Sequence, residues 1–120
     1  MQFIALIYAE PGAGPQPGSP EWGPFMQGYM TATETYKKDG VFVAGDALHG
    51  TDQATSIRIR NGKTDTMDGP FAETKERLGG YYLLDCKDLD AAIKYAAMIP
   101  TAQHGTVEVR PVLAPEDYGA

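Results

Sequence analysis

Between residues 66 and 84 the sequence reads TMDGPFAETKERLGGYYLL, and in it Asp68, Glu73, Lys75, Glu76 and Arg77 crowd into one short connection. Carboxylates and cations gathered in this way suit two kinds of work: proton transfer at a pocket mouth, or a shaped corner. Turn chemistry accounts for Asp68-Gly69-Pro70-Phe71. Asp accepts from amides two residues on, Gly bends the chain, Pro fixes φ, and Phe71 is expected to anchor the loop in the core. The functional reading makes residues 72–77 a short helical turn holding Glu73, Lys75 and Glu76 at a pocket mouth, with Glu73 and Arg77 a surface pair at i, i+4. The corner is the primary reading and the pocket mouth the secondary one.

Four further side chains are candidates for chemistry. Glu108 and Arg110 alternate with Val107 and Val109 in GTVEVRPV, so they point away from the apolar side of a strand. A charge there must be paired or solvated, because burying one alone costs several kcal/mol. They can form a structural ion pair, or they can line a wet cleft with Asp46 of VAGDAL, where a raised carboxylate pKa serves a general acid or base. His49 follows that strand and could act as a base or sit solvated in a loop. His104, the other histidine, precedes a strand start. One His with scattered carboxylates lacks paired-His spacing, and neither a GxSxG elbow, a GxGxxG turn nor a P-loop occurs. Neither a metal nor a cofactor is expected.

The elements that must position these groups follow from periodicity. Residues 2–8, QFIALIY, form a strand with two apolar faces. Residues 9–23 are a Pro/Gly-rich loop, and a helix is expected from Pro24 to Asp39, with Gly40 as its left-handed cap and Phe25, Tyr29, Ala32 and Tyr36 as its apolar stripe. A strand at 41–48 follows. Asn61-Gly62 signals a type I′ hairpin whose register sets Arg58 opposite Asp65 and Ile57 opposite Thr66. A strand at 79–86, a helix capped by Asp88 with Leu89, Ala92, Ile93, Ala96 and Ala97 on one face, and a strand at 105–112 complete the chain. The β-α-β, hairpin, β-α-β order implies one α+β domain. It is a ferredoxin-like two-layer sandwich: an antiparallel sheet, two helices on one face, and an extra hairpin.

Two helices cover one sheet face only, whereas the strands at 2–8 and 79–86 are apolar on both. Ile4, Leu6, Tyr8 and one of Tyr81 and Tyr82 would leave a bare apolar patch. Two-fold pairing of facing sheets removes it, so a homodimer is expected, with a pocket between the sheets lined by Asp46, Glu108, Tyr8, Trp22 and the 68–76 loop. The 120 residues carry a net charge of −6 with their ten basic residues scattered, which argues against direct binding of nucleic acid or an anionic membrane. The lone Cys86, read as a small core hydrophobe, suits a reducing compartment, and MQFIALIYAE reads as a strand and not as a signal peptide, so a cytoplasmic location is expected.

The string DGPFAETKERLGGYYLLD, followed by DLDAAIKYAAMIP and GTVEVRPV, resembles the DGPF-motif proteins of the YCII-related family. The resemblance implies a ferredoxin-like fold of the dimeric α+β barrel class. It also implies small lyase-type relatives with a His–Asp pair whose His lies on the first helix, and relatives found beside extracytoplasmic-function sigma factors. Residues 24–39 contain no histidine, so that pair does not carry over; Trp22 and Tyr29 stand in the region instead. Three readings stay open: a cofactor-independent lyase or isomerase acting on a small molecule, a ligand-binding module or partner of a sigma factor, and a structural dimer.

Overall fold

In a computed structural model describing residues 1–119, the chain runs β1 (Gln2–Ala9), α1 (Trp22–Lys38), β2 (Phe42–Ala47), β3 (Thr55–Arg60), β4 (Lys63–Asp68), β5 (Arg77–Asp85), α2 (Leu89–Ala96) and β6 (Thr106–Pro111). Short 3₁₀ turns lie at Thr51–Gln53, Pro100–Gln103 and Pro115–Tyr118. Four strands form one antiparallel sheet in the order β2-β5-β1-β6, and β3 and β4 pair only with each other. This is the expected ferredoxin-like sandwich, with a hairpin inserted between its second and third core strands.

Alternation in the central strands decides what is buried. Phe3, Ala5 and Ile7 of β1 and Tyr82 and Leu84 of β5 face the helices and meet Ala32 and Tyr36 of α1 and Ala92 and Ala96 of α2. Tyr36 is fully enclosed, packs edge-on against Tyr82 and Tyr95, and donates its hydroxyl to the Tyr95 carbonyl. Cys86 is buried in the same core.

The local signals hold at several ends. Asn61 and Gly62 adopt φ of 51° and 75°, as a type I′ turn requires, and Arg58 and Ile57 lie opposite Asp65 and Thr66. Gly40 caps α1 in the left-handed region at φ 72°, and the Asp88 carboxylate accepts from the Ala91 amide at 2.8 Å.

Four expectations need correction. Helix α1 begins at Trp22, two residues before Pro24, because a proline in the first turn lacks a donor where the helix needs none. The buried line of α2 is rotated from the expected stripe: Ala92 and Ala96 touch the sheet, while Leu89 and Ile93 are about half exposed at 49% and 50%. Small side chains at the contact let α2 approach closely, and the bulky pair is left at its flank. Phe71 is 75% exposed and anchors nothing in the core. Finally, residues 72–76 are an irregular bend with no helical turn, and β5 starts early at Arg77. Arg77 bonds Thr51 at 2.8 Å; no Glu73–Arg77 ion pair occurs among the described residues.

Candidate functional site, a pocket beneath the first helix

The register of the sheet fixes where the charged strand residues point. Asp46 lies opposite Tyr81, Tyr81 opposite Leu6, and Leu6 opposite Glu108, a single row crossing all four strands on the face that carries no helix. The neighbouring row runs Ala44, Leu83, Ile4, Arg110. Tyr81 donates to Asp46 at 3.1 Å, and that bond to a carboxylate pushes the Tyr81 phenol above its ordinary value. Three inter-strand spacings separate Asp46 from Glu108, about 14 Å of backbone, so within one chain they cannot share a proton. Glu108 and Arg110 are both exposed, and no ion pair joins them among the described residues.

A pocket of about 930 Å³ opens between α1, the ends of β2 and β5, and the connection after β2, and its lining takes in Asp46 and Tyr81 from the end of that first row. Its wall is aromatic. Trp22, Phe25 and Tyr29 follow one another along α1 with ring centroids 5.7 and 5.4 Å apart, and Phe42 and Tyr82 close the sheet side at 6.4 Å. Gly45 makes this possible: it lies opposite Tyr82, and a Cβ there would stand 2.6 Å from the Tyr82 ring. Any larger residue would drive the ring out of the floor. His104 packs behind the wall, its ring 5.7 Å from Phe25.

The floor is a set of hydroxyls. Tyr29 bonds Thr101, and Thr33 bonds both the Tyr29 carbonyl at 2.9 Å and the Tyr82 hydroxyl at 2.7 Å. Thr33 has one proton and gives it to the carbonyl, which is acceptor only. Tyr82 must therefore donate to Thr33, and the phenol oxygen of Tyr82 is left able to accept from a ligand but unable to donate. Burial raises the Tyr29 phenol above its ordinary value, against the lowering effect of its bonds to Thr101, so Tyr29 is a neutral hydroxyl at physiological pH. Charged groups occupy the rim, Lys37, 5.2 Å over the Phe42 ring, with Asp46, Asp52 and Arg77, and the His49 imidazole lies among them.

Of the residues singled out from sequence, Trp22, Asp46 and His49 line this pocket. Asp68, Phe71, Glu73, Lys75, Glu76, Glu108, Arg110 and Tyr8 do not. Tyr8 stands on the uncovered face with Leu6, and Glu76 accepts from Thr106 at 2.7 Å near the β6 edge. The floor residues Thr33, Tyr82 and Thr101 were missed; the available signal was Thr33, one helical turn after Tyr29 and so on the same side of α1. No group of three or more His, Cys, Asp or Glu among the described residues is arranged to hold a metal ion.

The sequence profile of the YCII-related domain matches residues 1–115. The chain belongs to the YCII-related family. A curated relative, an uncharacterised protein of Rhizobium meliloti (strain 1021), is 48% identical over 64 residues. That stretch covers 52% of each sequence, so the likeness spans about half of the relative's length. Among solved structures this YCII-related chain resembles 5-chloro-2-hydroxyhydroquinone dehydrochlorinase (TftG) from Burkholderia phenoliruptrix, in complex with 2,5-dihydroxybenzoquinone. The match has a TM-score of 0.52 and 11% identity, over 97% of each chain. At that identity the likeness concerns the fold, which is that of the dimeric α+β barrel class. No helix among the described residues is long and apolar enough to cross a membrane.

Proposed function

We propose that this YCII-related protein binds a small, ring-bearing molecule beneath α1 and carries out cofactor-independent proton transfer on it, as a lyase or isomerase does, in a homodimer. The carrying observation is the pocket itself: aromatic walls, a floor in which the Thr33 and Tyr82 hydroxyl hydrogens are already committed, and one imidazole at the rim. Apolar walls with a few convergent polar groups are the usual make-up of small-molecule sites. Tyr82 offers an acceptor, so a ring bearing a hydroxyl or amino donor fits the floor better than one bearing only acceptors. His49 is the imidazole of the pocket, and we assign it the role of taking and returning the proton. The homodimer part of this reading is supported by the bare face of Ile4, Leu6, Tyr81 and Leu83, half-buried apolar side chains that no helix covers.

The test uses Trp22, the single tryptophan, as a reporter within the pocket. A panel of small hydroxylated ring compounds is titrated while Trp22 fluorescence and the melting temperature are followed. A ligand at a hundred times its Kd stabilises by about 2.7 kcal/mol, a rise on the order of 10 °C for a domain of this size. Tyr82→Phe should weaken such a ligand roughly 3- to 10-fold, the value of one hydrogen bond. Where a hit is turned over, His49→Gln should abolish turnover while binding survives. A hit without turnover reduces the reading to a binding module, and a silent panel removes it.

A further inference from the structure

Strand β5 does not keep one phase along its length. Gly80, Tyr82 and Leu84 are its buried residues, on the side of the helices. Against β1 the register runs from Ile7–Gly80 directly to Tyr8–Leu78, so Gly79 has no partner there and forms a β-bulge. Beyond the bulge the alternation is reversed. Arg77 falls opposite Ala9, which shares its side of β1 with Phe3, Ala5 and Ile7 beneath the helices. Without the extra residue Arg77 would share the bare side with Tyr81 and Leu83. The bulge thus turns a cation towards the pocket, whose lining includes both Ala9 and Arg77. Re-aiming a side chain beside a functional site is a recurrent use of bulges.

The start of β5 also holds the connection that Arg77 meets. The Gly79 carbonyl accepts from the Leu48 amide at 2.9 Å, and Arg77 donates to Thr51 Oγ1 at 2.8 Å from one guanidinium nitrogen. A guanidinium carries five N–H donors in a planar fork, so most of them remain. Among the described residues no carboxylate pairs with Arg77. Asp52, next to Thr51, turns its carboxylate back over Gly50, where a Cβ would stand 2.8 Å from Oδ1.

We propose that Arg77 is the specificity-determining residue of this pocket and receives a carboxylate, so that the ligand is a ring-bearing hydroxy acid. The inference rests on the pocket reading above and adds to it the charge of the molecule bound. Register sets the layout. Tyr82 lies opposite Ala5 and Arg77 opposite Ala9, four residues or about 13 Å along β1. Tyr82, with its acceptor oxygen, is 7% exposed, whereas Arg77 is exposed. A hydroxyl donor therefore enters first. The carboxylate stays at the mouth, where it keeps part of its water and avoids the cost of burying a charge. Thr51 steadies the guanidinium on one side and leaves the remaining donors for a two-point bond to the acid.

Matched compounds read the charge alone. para-Hydroxybenzoate and para-hydroxyphenylacetate are titrated beside their uncharged amides, with Trp22 fluorescence as the signal. The acids should bind about 10-fold more tightly than the amides, a preference that shrinks with added salt. Arg77→Gln should remove the preference and leave amide affinity within about 2-fold of the wild type, while Arg77→Lys, which keeps the charge without the fork, should retain part of it. Tyr82→Phe should weaken acid and amide alike. If amides bind as well as acids, or if Arg77→Gln leaves the preference in place, the inference is overturned and the pocket reading stands. An Arg77→Gln variant that weakens amide and acid equally makes Arg77 a prop of the 48–51 connection and overturns it too. If no acid and no amide binds, the pocket reading falls and takes this inference with it.

Discussion

The two faces of the four-stranded sheet are made by alternate residues of the same strands, yet they have opposite fates. On one side Phe3, Ala5, Tyr82 and Leu84 vanish beneath two helices. On the other, Ile4, Leu6, Tyr81 and Leu83 stay half-buried between charged edge residues, with Asp46 at one edge and Glu108 and Arg110 at the other. The covered face is complete within one chain and also holds the pocket, between α1 and the ends of β2 and β5. The uncovered face is apolar at its centre and charged at its rim, which is the anatomy of an interface between proteins.

That contrast can be probed in descending order of effect. Leu84→Ala, at a position 1% exposed, should cost about 2–5 kcal/mol in denaturant unfolding, through lost transfer energy and the cavity left behind. A similar loss from Leu83→Ala in the dissociated chain would mean the faces are not distinct; the expectation there is under about 1 kcal/mol. Next comes alkali. Burial raises the Tyr36 phenol well above its ordinary value of about 10, so the fold favours its neutral form. The stability this contributes is intact below pH 10 and is lost above it by about 1.4 kcal/mol per pH unit, as the unfolded chain ionises first. Tyr36→Phe should remove this share of the alkaline slope, at about 1 kcal/mol near neutrality for the lost bond to the Tyr95 carbonyl. The smallest effect belongs to the rim. Glu108→Gln should alter the stability of a dissociated chain by less than about 0.5 kcal/mol, since Glu108 is exposed and joins no ion pair among the described residues.

Much of the fold was legible in the sequence because its signals are local. Asn61-Gly62, Gly40 and Asp88 each state a backbone requirement that neighbours cannot override, and the order of elements then leaves few topologies. The face carrying Asp46, Glu108 and Arg110 was legible too, since a strand alternates with a period of two. The pocket was not. Its place depends on how α1 is set over the ends of β2 and β5 and on a glycine opposite Tyr82, both tertiary facts. The loop of residues 69–76 misled for the opposite reason: its turn residues are real, but an aromatic in a turn looks the same in sequence whether it anchors inward, as expected of Phe71, or lies exposed. Along α2, alternatives such as Leu89/Ile93 and Ala92/Ala96 are one step around the same helix. Only packing against the sheet chose the alanines.

The most direct test of the unequal faces is the mass of the chain in solution at micromolar concentration. Sedimentation of the wild type should give twice the mass of one chain, and Leu6→Lys/Leu83→Lys should halve it with the far-UV spectrum preserved. A wild type that sediments as one chain at tens of micromolar would contradict the account. The half-buried apolar centre of the sheet would then have to be stable in water with nothing covering it.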